Sequence, residues 1–466
     1  MIQSSFRITF AMAAPSDFII QLLKRSNFDL LRLPELPFTT PDEREETEFA
    51  FDLTNHLKSV KIVVLDGYWF GAEYQRVLRK YPVHVVLIED AGYGKYFADL
   101  IINQAPGLSE ANYELVSDHP ILALGPKYAL LRPKFLHTAQ SALPPKKDIQ
   151  KILICFGGSD HFNYSEPVTK WFLEKTDLLV NLVLGASYSV TESMVIMQGE
   201  FADRLKVTSS LSEDEMLNLM KDADLGIVPT SGILFECIAC RLPVISGVYT
   251  QNQSKLYNGF KTEGVFLDAA NFSSKAIAKA YKKLNQEALT YIVEKQKKVL
   301  DGQSGSRLSQ MFESLKMAPV GRLRKATAKD VELYFNWAND NSVRKNAFSQ
   351  EPILLEHHQK WFNQKIKNEE SHLLILEKEN IPIGQIRFDK DENNEWEIDY
   401  SIDFNYRGLG YGIMLLQRGL DHLKNIETKP KVKAVVKGHN LASLKAFRNI
   451  GFQEYQSDKV HIFSYG

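Results

Sequence analysis

The 466-residue chain is short of the features that mark specialised proteins. It holds 3 cysteines, Cys155, Cys237 and Cys240, too few for a disulfide framework. "CIAC" has CxxC spacing, but it lies in an apolar, helix-like run and no second CxxC completes a zinc site. The three thiols therefore read as small core-facing groups, and no metal is expected. No apolar stretch reaches the roughly 18–20 residues of a membrane span. The opening "MIQSSFRITFAMAAP" lacks the basic start and long apolar region of a secretion signal, so it reads as a buried strand in a cytoplasmic protein. Charge of one sign is also lacking: 56 Lys+Arg stand against 57 Asp+Glu, which gives nucleic acid no hold on the protein as a whole. Internal repeats and low-complexity tracts do not occur.

What remains is an ordinary globular composition, 44% hydrophobic and 24% charged, with length for roughly two to four domains. Through residue 135 or so, apolar runs such as "FRITFAM", "KIVVLDG" and "PVHVVLIED" alternate with amphipathic segments such as "SDFIIQLLKRS" and "FGAEYQRVLRKY". That is the βαβ pattern of a parallel sheet. A Pro/Lys-rich hinge, "QSALPPKKDIQ", precedes a restart of the same pattern in "KILICFGG", "NLVLGAS", "RLKVTS", "ADLGIVP" and "LPVISG". From about residue 319 the grammar changes. Helices are followed by "HLLILEKENIPIGQIRFDKDENNEWEIDYSI", a run of antiparallel strands. The expected fold is α/β: two Rossmann-like parts over 1–138 and 148–315, then an α+β domain over 319–466 with a mixed, largely antiparallel sheet.

The most chemical stretch is "YRGLGYG", residues 406–412, between a strand-like and a helix-like run. Unpaired amides at a helix N-terminus favour an anion, and glycines let the backbone approach it. Ile413, Leu416, Leu420 and Leu423 recur at helical spacing, so one face of that helix should pack on the sheet. The antiparallel approach disfavours a dinucleotide fingerprint. Downstream, "GHNLASLKAFRNIGF" places Asn440, Ser443, Phe447, Gly451 and Phe452 in the pattern N-x-x-S-x-x-x-F-x-x-x-G-F.

Together these motifs closely resemble the GNAT family of acetyl-CoA-dependent N-acetyltransferases, over about 320–466. The resemblance implies acetyl-CoA as cosubstrate. Its pyrophosphate would lie on the amides of Arg407, Gly408, Leu409, Gly410, Tyr411 and Gly412, with Asn440, Ser443 and Phe447 along the pantetheine arm and Asn440 near the chemistry. Many relatives carry a hydroxyl at the Phe447 position to protonate the departing thiolate. Phe447 has none, so solvent or Tyr455 is expected to serve. Glu397 and Asp399, on one face of "EWEIDYSI", are candidate bases for the attacking amine or simply solvated carboxylates. The stretch "YFNWANDNSVRKNAFSQEPILLEHHQKWF" resembles a GNAT subgroup that acetylates the 4-amino group of nucleotide-linked sugars, with Trp337, Asn339, Asp340, Arg344, His358 and Trp361 as the matching residues. Trp337, Arg344 and Trp361 are the expected substrate contacts.

An earlier glycine pair stands in "ICFGGSD", with Gly157, Gly158 and Ser159. Ser231 and Glu236 open the helix-like run in "PTSGILFECIACRLPVISG", and Asn252 and Gln253 follow in "YTQNQSKLYNGF". In a GT-B-like protein these are the places that hold UDP: the glycine turn and a helix N-terminus take the diphosphate, and Glu236 accepts the ribose hydroxyls. With "VVLDGYWF", "IEDAGYGKYFADLIINQAP" and "GPKYALLRPKF", this region looks like the UDP-sugar hydrolases of pseudaminic acid biosynthesis. That resemblance implies release of 2,4-diacetamido-2,4,6-trideoxy-L-altrose from its UDP, with Asp66, Tyr68, Asp90, Asn103 and Arg132 as sugar-side or structural positions. The family's first βα unit, with its catalytic Gly-His pair, has no counterpart near residue 1, so an impaired hydrolase is expected. The expected protein is a bifunctional nucleotide-sugar enzyme whose partner is a UDP-linked aminosugar. Two alternatives stand beside it: the same architecture on another UDP-aminosugar, and an acetyltransferase fused to a non-catalytic UDP-sugar binding module.

Overall fold

The computed structural model describes residues 6–35, 42–57, 60–90, 94–115, 120–141, 148–158, 160–185, 187–250, 253–378, 380–457 and 460–466. The architecture is α/β, with two parts of alternating strands and helices followed by a C-terminal α+β domain. Two compact units are present, one built of 1–101, 111–122 and 312–466, the other of 102–110 and 123–311. The N-terminal segment thus shares a unit with the C-terminal domain.

The N-terminal strands are β1 (Thr9–Ala13), β2 (Asp29–Leu33), β3 (Ile62–Asp66), β4 (His84–Ile88), β5 (Leu100–Asn103) and β6 (Ile121–Leu124). They do not form one sheet. β1 and β2 pair in parallel by themselves, and the other four run in the order β3-β4-β5-β6. Helices between them start where acidic or hydroxyl side chains satisfy the first amides. Ser16 caps α1 (Asp17–Arg25), and Asp42 with Glu45 forms a capping box on α2 (Glu43–Thr54). α3 (Ala72–Leu78) follows β3.

The next sheet is fully parallel. Its strands are β7 (Lys151–Ile154), β8 (Leu179–Leu184), β9 (Leu205–Ser209), β10 (Leu225–Pro229), β11 (Val244–Gly247) and β12 (Leu267–Asp268), in the order β9-β8-β7-β10-β11-β12. The chain builds outward from β7 on one side, then crosses to β10 on the other. The C-terminal ends of β7 and β10 therefore make a topological switch point, where a crevice opens between oppositely directed connections. All three cysteines are buried here, and burial pushes Cys155 up to about 11 and Cys240 up to about 12.

The C-terminal sheet joins β13 (Arg322–Lys325), β14 (Ser371–Lys378), β15 (Ile381–Lys390), β16 (Trp396–Ile402), β17 (Val432–Lys437), β18 (Gln453–Ser457) and β19 (Val460–Tyr465) in the order β13-β14-β15-β16-β17-β19-β18. Every pair is antiparallel except β16–β17. The helix Tyr411–Lys424, called α4 here, lies very close to this sheet. A Cβ added at Gly419 would stand 2.6 Å from Ile386 and 2.9 Å from Phe388. Leu416, Leu420 and Leu423 of the expected apolar stripe are buried in the core.

The same helix buries charge. Arg79, just past α3, pairs with Asp99 and with Asp421 of α4, the latter at 2.7 Å. Arg418, one turn earlier on α4, donates to the carbonyls of Arg79 and Val83. Burial and the like charge of Arg79 push Arg418 down to about 10. His422 is enclosed on α4 beside His372, with ring centroids 5.2 Å apart. Burial, then His372 and Lys325, push it down to about 4. The folded state keeps this imidazole neutral while the unfolded chain binds a proton below about pH 6.5. Stability is therefore expected to fall as pH drops from about 6.5 toward 4, by about 3 kcal/mol from this group. His422→Gln should flatten that limb in a pH series of urea melts.

Candidate functional site

The glycine loop follows β16, a strand that pairs with β17 over a short stretch only. β16 and β17 pair only at Trp396↔Val432 and Glu397↔Lys433. Beyond those residues no further register continues the pair. An unpaired edge of this kind can take an extended polar ligand, because its backbone groups still need partners. Past β16, a short turn at Phe404–Tyr406 delivers the chain into Arg407–Gly412 and α4. Gly408 and Gly410 have φ of +76° and +85°, a left-handed conformation that favours glycine. Gly410 is the N-cap of α4, and with no side chain to accept from the first amides the helix end is left for an anion.

The Arg407 side chain is already engaged. It donates to the Ile402 carbonyl at 2.8 Å, to Asp340 at 3.0 Å and to Ser342. Burial would raise the Asp340 carboxyl, but hydrogen bonds from Ser342 and Arg407 hold it at about 2. Arg407 thus braces the loop, which leaves backbone amides as its candidate donors to an anion.

Asn440 caps the helix Leu441–Asn449, its Oδ1 accepting from Ser443 N at 3.2 Å. Phe447 is 2% exposed and packs against Phe452 and Phe463. Sequence reading passed over Tyr400. Alternation puts it on the apolar face of β16, where it reads as core. Its hydroxyl in fact meets Ser443 Oγ at 3.1 Å, and its ring meets Phe447 edge-on at 5.8 Å. Tyr455, the expected alternative acid, is 57% exposed and donates to Gln453 on its own strand.

On the opposite face of β16, Glu397 and Asp399 are exposed. Asp399 accepts from Gln385 at 3.5 Å and lies 3.9 Å from Arg387, whose guanidinium sits 5.0 Å from the Trp361 ring centroid. Asp399, Gln385, Arg387 and Trp361 therefore form one polar-aromatic group. Trp337 and Arg344 do not join it. The Trp337 indole is buried and donates to Asp403 at 3.1 Å. Arg344 donates to the carbonyls of Ala338, Ser349 and Glu351. His358 is buried with its ring against the Val331 carbonyl, and Asn339 bridges to both backbone groups of Ile353.

A second candidate anion site lies at the switch point of the parallel sheet. Gly157 follows β7 at φ +87°, and a Cβ at Gly157 or Gly158 would meet open space. Ser231 follows β10 as N-cap of the helix Gly232–Ala239, which no side chain caps. The neighbouring helix, Ser165–Lys175, differs: the Asp160 carboxylate accepts from Tyr164 N and Ser165 N and fills its end. Glu236 accepts twice from Arg132, at 2.7 and 3.0 Å, both through Oε1. Burial raises its carboxyl and Arg132 opposes that. Gln253 accepts from Tyr249 N. Ser159 and Asn252 lie outside the described residues. Asn103 is buried and accepts from Ala105 N, a turn-forming role. Tyr68 donates to Asp90 at 2.9 Å, and burial followed by Asp90 raises Asp66. Among the described residues no group of three or more His, Cys, Asp or Glu is placed to hold a metal ion, and no helix is long and apolar enough to cross a membrane.

Residues 322–453 match the family model for the acetyltransferase (GNAT) domain, and the C-terminal part of the chain is such a domain. An uncharacterized protein of Methanocaldococcus jannaschii is 25% identical over 438 residues, covering 89% of this chain and 86% of its own. The spore coat polysaccharide biosynthesis protein SpsG of Bacillus subtilis is 24% identical over 230 residues, covering 48% of this chain and 66% of its own. Among solved structures, MurG of Acinetobacter baumannii aligns over 67% of this chain and 92% of its own at 12% identity with a TM-score of 0.49. A domain from M. jannaschii aligns over 31% of this chain and 96% of its own at 24% identity with a TM-score of 0.28.

Proposed function

We propose that this chain acts on one UDP-linked aminosugar in two consecutive steps. The C-terminal domain transfers acetyl from acetyl-CoA to the sugar's 4-amino group. The preceding parts, divided near 138–148 and 315–319, hold the UDP and release it by hydrolysis from UDP-2,4-diacetamido-2,4,6-trideoxy-L-altrose, a step of pseudaminic acid biosynthesis. The observation that carries this reading is the presence in one chain of two helix N-termini that no side chain caps, one following the left-handed glycines 408 and 410, the other following β10, which pairs with the strand that ends just before left-handed Gly157. One stands at the cleft of a GNAT domain. The other stands at the switch point of a parallel sheet, where nucleotides are commonly held. The relative named for polysaccharide biosynthesis supports a sugar substrate.

In this reading the amides of 408–412 hold the coenzyme pyrophosphate, and Asn440 and Ser443 border the pantetheine arm. Asp399 accepts a proton from the acceptor amine, directly or through water. Trp361 and Arg387 orient the acceptor. Gly157, Gly158 and the amides after Ser231 take the UDP diphosphate, and Glu236 takes the ribose.

The test is incubation of the protein with acetyl-CoA and a panel of UDP-4-amino sugars, following coenzyme A thiol and UDP separately. Acetylation of the altrose-configured sugar is expected, and UDP appearing after it assigns the hydrolytic step to the same chain. Faster turnover of another sugar would reassign the substrate, and acetylation without UDP release would make the N-terminal parts a binding module. Glu236→Gln should weaken UDP binding by about tenfold, since a charge-assisted hydrogen bond is worth about 1.5–3 kcal/mol, while acetylation of a simple amine stays unchanged. Calorimetric titration with UDP measures this.

A further inference from the structure

We propose that Tyr400 is the acid that protonates the departing coenzyme A thiolate, with Ser443 as its relay. The inference rests on the acetyltransferase reading of the C-terminal domain. Phe447 carries no proton, yet the position is not without a hydroxyl nearby: the Tyr400 ring lies edge-on to Phe447, and its O–H reaches Ser443 on the same helix. Tyr400 also faces the start of α4 at Gly412. A Cβ at Gly412 would stand 3.7 Å from its Cε2. Its place on β16 is beyond the last residues that pair with β17, so the ring stands where the two strands no longer close the sheet. One side chain, on the stretch of β16 beyond its pairing with β17, thus stands beside the start of α4 and contacts the helix that Asn440 caps. Burial raises the phenol, against the opposing effect of the Ser443 hydrogen bond, so the hydroxyl keeps its proton at neutral pH.

The neutral amine attacks the thioester carbon and forms the C–N bond. The adduct loses a nitrogen-bound proton to Asp399 or water. As it collapses, the C–S bond breaks and its electron pair leaves on sulfur. The Tyr400 proton passes to that sulfur and gives the thiol. The phenolate is reprotonated through the Ser443 hydroxyl from water.

Tyr400→Phe keeps the ring and removes only the O–H. The expected result is a fall in kcat of about a hundredfold, with KM for acetyl-CoA, calorimetric affinity for coenzyme A and thermal midpoint near those of the parent. Adding Phe447→Tyr to that variant restores a hydroxyl beside the same position and should recover much of the rate. A kcat within threefold of the parent in Tyr400→Phe overturns the proposal. So does a rate loss matched by an equal loss of coenzyme A affinity, which marks a packing role, and so does a folded, coenzyme-binding double variant that stays as slow. A parent protein that does not bind acetyl-CoA overturns the underlying reading together with this one, whereas the other outcomes touch Tyr400 alone.

Discussion

Gly410→Val should reduce acetyl-CoA-dependent acetylation by at least a hundredfold, with the loss appearing equally in coenzyme binding. Gly410 holds φ +85°, where a β-branched residue is a strong outlier. Its Cβ would also stand 3.3 Å from the Pro319 ring. The loop must then turn its backbone, and the amides at the start of α4 lose their common aim. A hundredfold corresponds to about 2.7 kcal/mol, within reach of one strained residue plus misdirected charge-assisted hydrogen bonds. Gly412→Ala is the matched control. Gly412 has no left-handed φ, and its Cβ would make ordinary contacts of 3.7 Å and 4.0 Å with Tyr400 and Ile402, so activity should stay within about fivefold, on the order of 1 kcal/mol. Acetyl-CoA titration and a thermal melt on each variant provide the measurement. Parent-like coenzyme affinity in Gly410→Val would remove the pyrophosphate from this loop.

Arg79→Met should destabilise the unit that contains the acetyltransferase domain by about 3–5 kcal/mol, because removing one partner leaves buried charge without compensation. Arg79 is 12% exposed in its side chain and serves Asp99 and Asp421 together. Burial by itself would raise the Asp99 carboxyl, but Arg79 overrides this and holds it well below the usual carboxylate range. A carboxylate whose folded pKa is depressed contributes stability that is present above its unfolded value, about 4, and is lost as pH falls further toward the folded one. The Arg79→Met variant should therefore lose the parent's additional acid sensitivity below about pH 4. Urea melts across pH measure both effects. Replacing Arg79, Asp99 and Asp421 together with apolar residues of similar volume should recover much of the loss, since desolvation of the charges goes with them. Hydrogen exchange should show β4 and α4 loosening together in the single variant. A melt unchanged by Arg79→Met would mean that the network contributes nothing net.

The sequence by itself determined whatever depends on neighbours a few residues apart. The apolar runs became strands where they were expected, from "KIVVLDG" to "IPIGQIRFD". The strand–glycine–helix order around 406–412 needed only left-handed glycines and an uncapped helix start, both local properties. Leu416, Leu420 and Leu423 took the core face because the 3.6-residue period requires it. Tertiary structure decided what depends on distant groups. Tyr400 and Ser443 are 43 positions apart, and nothing in the alternation of β16 separates a core tyrosine from one whose hydroxyl reaches the next helix. Arg344 and Trp337 have the chemistry of ligand contacts, yet nearby carbonyls and Asp403 had prior claim on their donors. The Arg79–Asp421 pair spans 342 positions and ties the N-terminal segment to the acetyltransferase helix, a grouping that no linker composition announces. The physical reason is common to all three. Local periodicity and turn chemistry act through covalent proximity, whereas a buried charge or hydroxyl is satisfied by whichever partner the fold brings within about 3 Å, and only folding chooses that partner.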